Sequence, residues 1–118
     1  MRNPHVDVIG HPTGRLLPNR EGADLDMDAV LAAARDSGVA LEINAHPARL
    51  DLEDVYARRA VSMGIRLAIN TDAHSHSDLE LLHFGVATAR RGWVEPQHVL
   101  NTWNTEQLIS WLRARGSN

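Results

Sequence analysis

The chain has 118 residues, 43% hydrophobic and 23% charged, which suits one domain with one sizeable core. It contains no cysteine, which excludes disulfides, thiolate metal sites and cysteine nucleophiles. Its formal charge is −3 and its twelve basic residues are all Arg, so there is no lysine nucleophile and no basic footprint for nucleic acid.

The opening "MRNPHVDVIGHP" lacks the apolar core of a signal peptide, and no run reaches transmembrane length. The expectation is a cytoplasmic chain with no membrane partner. A first strand is predicted over residues 5–11, followed by a Gly-, Pro- and Arg-rich loop, "GHPTGRLLPNREG". A helix over 24–38 takes Asp26 as its N-cap and ends at Gly38. After a second strand, a helix over 50–64 opens at Asp51 and ends at Gly64. A third strand begins at Ile65, and "SDLELLHFGVATARRG" follows with Ser77 and Glu80 spaced as a capping box. Pro96 marks another helix start, and a last helix is capped at Thr105. Strands alternating with helices of this length imply parallel pairing through right-handed crossovers.

The chain also echoes itself. "SGVALEINAH" (37–46) and "MGIRLAINTD" (63–72) align without gaps at an offset of 26, matching Leu41 to Leu67, Ile43 to Ile69 and Asn44 to Asn70. Each Gly suits a left-handed helix exit, and each apolar run suits a buried strand.

The three strands end in "GHPTGR", "INAHPARL" and "INTDAHSH", so His11, His46, Asp72 and His74 gather at one carboxyl rim. Asp72 and His74, two apart, project to one side of an extended chain at roughly 6.5–7 Å between Cα atoms, a span that a cation bridges. His11 is the third metal candidate. His46 stays open between ligand and structural residue. His5 and His98 read as surface residues, His83 as packed or half-exposed in a helix, and His76 as a flank of that helix. Glu42, mid-strand, is a hydrogen-bond acceptor or a group that orients a ligand.

These motifs, "GHPTGR" and "NTDAH" in this order and spacing, resemble the C-terminal part of a PHP (polymerase and histidinol phosphatase) domain. The variety in question is the one attached to family X DNA polymerases, and the likeness covers almost the whole chain. The resemblance implies a distorted (β/α)7 barrel with a metal cluster at the strand ends that hydrolyses phosphoesters. In polymerase-linked members it acts as a 3′–5′ exonuclease or DNA-end phosphatase. It implies Mn2+ or Zn2+, with Fe or Mg2+ as further candidates. By position His11 falls on the "GHP" histidine, and Asp72 and His74 on the closing Asp-x-His motif, where they are the catalytic centre. His46 stands where polymerase-linked members often carry Asn. Arg15 and Arg49 are candidates for a phosphate oxygen.

The family's His-x-His strand and several later ligands have no counterpart before His11. Residues 1–118 are therefore expected to form the C-terminal portion of such a domain: an α/β unit of about three parallel strands with flanking helices and two open sheet edges. An N-terminal half or a second copy would complete it, and the chain alone would have little or no turnover. The alternatives are a non-catalytic oligomerising fragment and a histidinol-phosphatase-like or amidohydrolase-like metal hydrolase.

Overall fold

In the computed structural model, which describes residues 1–116, the fold is built around the run Ala40–Asn44, every residue of which is buried. This strand, β2, lies between β1 (Val8–Ile9) and β3 (Leu67–Asn70), and both pairings are parallel. Core residues cover both of its faces, so even its two polar residues, Glu42 and Asn44, are buried.

The β2–β3 register pairs Leu41 with Leu67, Glu42 with Ala68, Ile43 with Ile69 and Asn44 with Asn70. The 26-residue echo in the sequence is thus the register of the sheet. Side chains alternate between faces. Leu41, Ile43, Leu67 and Ile69 share the main core with Met27, Leu31 and Ala34 from α1 (Met27–Ser37). Ala57 and Ala60 from α2 (Asp54–Ser62) and Ala89 from α3 (Leu82–Arg91) join the same core. On the other face Ala40 and Ala68 meet Leu100, Trp103 and Trp111, and the two indoles pack edge to face at 6.3 Å.

The helix boundaries follow local chemistry. Asp26 caps α1 by accepting from the Ala29 N–H, and Gly38 leaves it at φ 67°. α3 comes so close to the sheet that a Cβ on Gly85 would stand 2.5 Å from Ile69 Cγ2 and 2.8 Å from Ala45 Cβ. The final helix, α4 (Thr105–Gly116), is anchored by Arg115, which bonds the Asp7 carboxylate and the carbonyls of Val6 and Ser37.

Several predicted boundaries move. The first strand shrinks to two residues because the Val6 N–H closes a turn onto the Asn3 carbonyl at 3.1 Å, and His11 turns the chain at φ 45°. α2 begins after Glu53, since Asp51 is drawn into the interior. The stretch after β3 starts as a 3-10 turn, His76–Leu81, with Ser75 and not Ser77 at its N-terminus. At α4 the reciprocal bonds belong to Asn104 and Gln107, one residue before the predicted cap. Trp93, at φ 60°, lies on the surface under the Arg58 guanidinium, 3.6 Å from its centroid.

Among the described residues the three strands form an open sheet and do not close a barrel, and one of the two expected open edges is covered. On the outer side of β3, Leu67 bridges to Val99. The Asn101 amide accepts from the Ile69 N–H and donates to the Ile69 carbonyl, both at 2.8 Å. Asn101 thereby imitates a neighbouring strand.

Candidate functional site

The carboxyl ends of the three strands meet. β1 leads into Gly10 and His11, and the His11 N–H donates to Glu42 Oε2 at 2.8 Å. Glu42, buried on β2, uses its other oxygen to accept from Asn70 Nδ2 at 3.1 Å. One carboxylate therefore spans the tips of β1 and β3. Gly10 permits this approach, since a Cβ there would lie 3.3 Å from Glu42 Oε2.

Asn44, which the sequence offers as a partner for backbone groups at the strand exit, has that role and a second one as a hub. It is fully buried, and its Oδ1 accepts from the His46 N–H at 3.0 Å. That bond fixes the amide, so Nδ2 faces His11 Nδ1 at 3.3 Å and Asp72 Oδ2 at 3.4 Å. Its position at the last residue of a fully buried strand was the signal available.

His11, Asp72 and His74 come together with Asp72 between the two imidazoles. His11 Nε2 stands 3.7 Å from Asp72 Oδ2, and His74 Nδ1 stands 3.9 Å from Asp72 Oδ1. The contacts use opposite carboxylate oxygens, so the three residues form a row. Among the described residues no three His, Asp or Glu side chains converge on one point that a metal ion could occupy. His11 and Asp72 both adopt left-handed backbone, at φ 45° and 54°. Non-glycine residues seldom adopt that conformation and do so mostly where the surrounding structure enforces it.

The His74 ring is set by its own loop. Its Nδ1 lies 2.7 Å from the Asp72 carbonyl, which can only accept, so Nδ1 carries the proton and Nε2 keeps its lone pair. The His74 N–H donates to Asp78 Oδ2 at 3.0 Å, and this bond is the main reason that the Asp78 carboxyl titrates below its ordinary value.

His46 has the opposite arrangement. Its Nδ1 accepts from the Ala48 N–H at 3.1 Å. With Arg49, Leu16, Ala48, Asp72 and His74 it lines a recess of about 180 Å³.

Arg15 is committed to the scaffold. Its Nε and Nη2 donate to the carbonyls of Arg49 and Leu50 at 2.8 and 2.5 Å, and Nη1 pairs with Glu53 at 3.1 Å. Used in this way, its fork braces the loop that follows His11. Arg49 gives only Nη1 to the Arg15 carbonyl, at 3.1 Å, and also borders the recess.

The loop after His11 rests on Asp51. This fully buried carboxylate accepts from the Thr13 N–H, the Thr13 hydroxyl and the Gly14 N–H at 2.9–3.1 Å. The sequence suggested a helix-opening acid there. Only the tertiary fold shows it as the post beneath the "HPTG" turn.

The remaining histidines stand apart. His5, His76 and His83 are exposed, and His83 donates from Nδ1 to the Glu80 carbonyl at 2.7 Å. His98, half-buried, accepts from the Glu95 N–H at 3.1 Å.

Two donors of a kind that divalent cations accept stand side by side at one end, where the 3.9 Å approach to Asp72 is made by the protonated Nδ1 of His74. Asp72 supplies carboxylate oxygen, and His74 supplies a free Nε2 whose tautomer is fixed from behind, a common arrangement for metal-bound imidazole. His11 is placed as a neighbour, its Nδ1 facing an amide donor and its Nε2 facing Asp72.

Asp, His and Asn gathered at the carboxyl ends of parallel strands lie where open α/β sheets bind their ligands. The chain is 43% identical over 113 residues to a DNA polymerase/3′–5′ exonuclease PolX of Bacillus subtilis, a match covering 96% of the chain and 20% of the relative. It is 31% identical over 108 residues to a probable phosphatase of Thermoanaerobacter sp. strain X514, covering 86% of the chain and 42% of that protein. A probable phosphatase of Caldanaerobacter subterraneus subsp. tengcongensis is 34% identical over 80 residues, 63% of the chain and 29% of its own length. No family model matches the chain. It is thus related to a polymerase-exonuclease and to probable phosphatases, and spans less than half of each.

Proposed function

We propose that the chain is the C-terminal part of a metal-dependent phosphoesterase domain of the polymerase and histidinol phosphatase type. In an intact protein it would serve a 3′–5′ exonuclease or DNA-end phosphatase joined to a family X polymerase. The observation that supports this reading is the row His11–Asp72–His74 at the strand ends, with the His74 tautomer leaving Nε2 free.

Asp72 and His74 would hold a divalent cation such as Mn2+ or Zn2+, with His11 beside them. The cation would supply a polarised phosphoryl group and a water of lowered pKa. Asn44 orients Asp72 and His11, and Glu42 fixes the backbone from which His11 projects. Arg49, which lines the recess, would neutralise a phosphate oxygen. With so few donors the chain alone would bind metal weakly and turn over little substrate.

The test is a Mn2+ titration followed by NMR. Selective broadening centred on Asp72 and His74, abolished in Asp72→Ala, is expected, alongside little or no hydrolysis of p-nitrophenyl phosphate or 3′-recessed DNA. Broadening elsewhere, or none at millimolar Mn2+, overturns the site. Robust metal-dependent turnover by the isolated chain overturns its incompleteness.

A second reading, a non-catalytic interaction fragment, draws on one observation. An apolar groove of about 530 Å³ lies between α3 and the segment around Val99, lined by Ile69, Leu82, Val86, Val94 and Pro96. Light scattering decides this point: a stable dimer or larger species favours that reading, and a monomer that unfolds cooperatively counts against it.

A further inference from the structure

Two imidazoles face the same recess with opposite tautomers, each imposed by the backbone. A carbonyl can only accept, so the 2.7 Å contact between His74 Nδ1 and the Asp72 carbonyl puts the His74 proton on Nδ1. A backbone N–H can only donate, so the 3.1 Å bond from the Ala48 N–H makes Nδ1 of His46 an acceptor. A neutral His46 therefore carries its proton on Nε2. His74 has a lone pair to offer a cation, whereas His46 has an N–H to offer an oxygen.

The position of His46 is also fixed from behind. Its own N–H donates to Asn44 Oδ1 at 3.0 Å, and Asn44 in turn contacts Asp72 and His11. The ring is thus tied to the strand end that carries the site. It lines the recess with Asp72, His74 and Arg49. Among the described residues no hydrogen bond is made to its Nε2, and the nearby Asp78 carboxylate acts on the ring through charge alone.

We infer that His46 is not a metal ligand but a hydrogen-bond donor, through Nε2–H, to a phosphoryl oxygen of the substrate. Arg49 borders the same recess and supplies the second donor. This rests on the proposed function, because the Asp72 carboxylate alone repels an anion and only a cation at Asp72 and His74 makes the recess attractive to one. The division of labour is then clear: Asp72 and His74 hold the cation, and His46 and Arg49 hold the oxygens.

The experiment is long-range 1H–15N NMR of the imidazoles in the full chain, above the imidazole titration range. His46 is expected as the Nε2–H tautomer and His74 as the Nδ1–H tautomer. Zn2+ is then expected to shift Nε2 of His74 and leave the His46 nitrogens in place. Methylphosphonate added to the Zn2+-loaded chain should shift His46 Hε2. His46→Leu should weaken methylphosphonate binding roughly tenfold, the worth of one charge-assisted hydrogen bond. His46→Asn, which keeps both an acceptor and a donor, should restore most of it.

An Nδ1–H tautomer at His46, Zn2+ coordination by that ring, or unchanged phosphonate affinity in His46→Leu overturns the inference while leaving the metal reading intact. Absence of any Zn2+ response at His74 overturns the metal reading, and the donor role falls with it.

Discussion

At the scale of single residues, the candidate site depends on groups that never face a ligand. Asp51 has no solvent exposure and collects the N–H groups of Thr13 and Gly14 and the Thr13 hydroxyl. Asp51→Ala leaves the Thr13 N–H and hydroxyl buried without an acceptor, at about 1–3 kcal/mol for each such group, while the Gly14 N–H keeps the His11 carbonyl at 3.1 Å. A loss of about 3 kcal/mol in urea unfolding is expected, with loosening at His11 visible in amide exchange. A change below about 0.5 kcal/mol would mean that the turn stands without its post.

Asp78 gives a pH dependence. The His74 N–H holds its carboxyl below the ordinary value, so the folded state favours the charged form. Such a group contributes stability above its unfolded pKa and loses it as pH falls through the lower, folded value. The His74 loop is therefore expected to loosen in the acid range below ordinary carboxylate titration, before the core does. The His74 amide shift should follow the Asp78 titration, and Asp78→Asn should remove that component.

At the scale of elements, Gly85 sets the distance between α3 and the sheet. Ala is the better helix former by about 1 kcal/mol. An added methyl, however, would stand 2.5 Å from Ile69 and 2.8 Å from Ala45, and overpacking of that kind costs typically 1–3 kcal/mol. Packing should win, so Gly85→Ala is expected to lower the thermal midpoint. A rise would show that α3 can lift away freely.

The strands and α1 were legible because their signals are local or repeated. The 26-residue echo carried the sheet register, and Asp26 and Gly38 marked both ends of α1. The shorter first strand, the inward turn of Asp51 and the cap at Asn104 were not, because neighbours far along the chain or one residue away decide them. The gathering of His11, Asp72 and His74 was readable from strand ends alone. The bond from the His46 N–H to Asn44 was legible as a strand-exit contact, but the reach of Asn44 to His11 and Asp72 and the bracing by Arg15 were not, since those partners lie 28 to 35 residues away in sequence.

At the scale of the molecule, the amide of Asn101 and the bridge at Val99 occupy Leu67 and Ile69, the two β3 residues that face away from β2. Asn101→Ala removes that cover, leaving the N–H and carbonyl of Ile69 to seek other partners. It should cost about 1–3 kcal/mol and raise the apparent mass in light scattering at high concentration. An unchanged, monodisperse mass would show that the edge is shielded by other means.

The cover also gives the unit a polarity. Any further strand, from the same polypeptide or from another, has a vacant place only beside Val8 and Ile9. Assembly of a wider sheet must then proceed from that flank and stop at the other, so that two copies cannot zip together through their third strands.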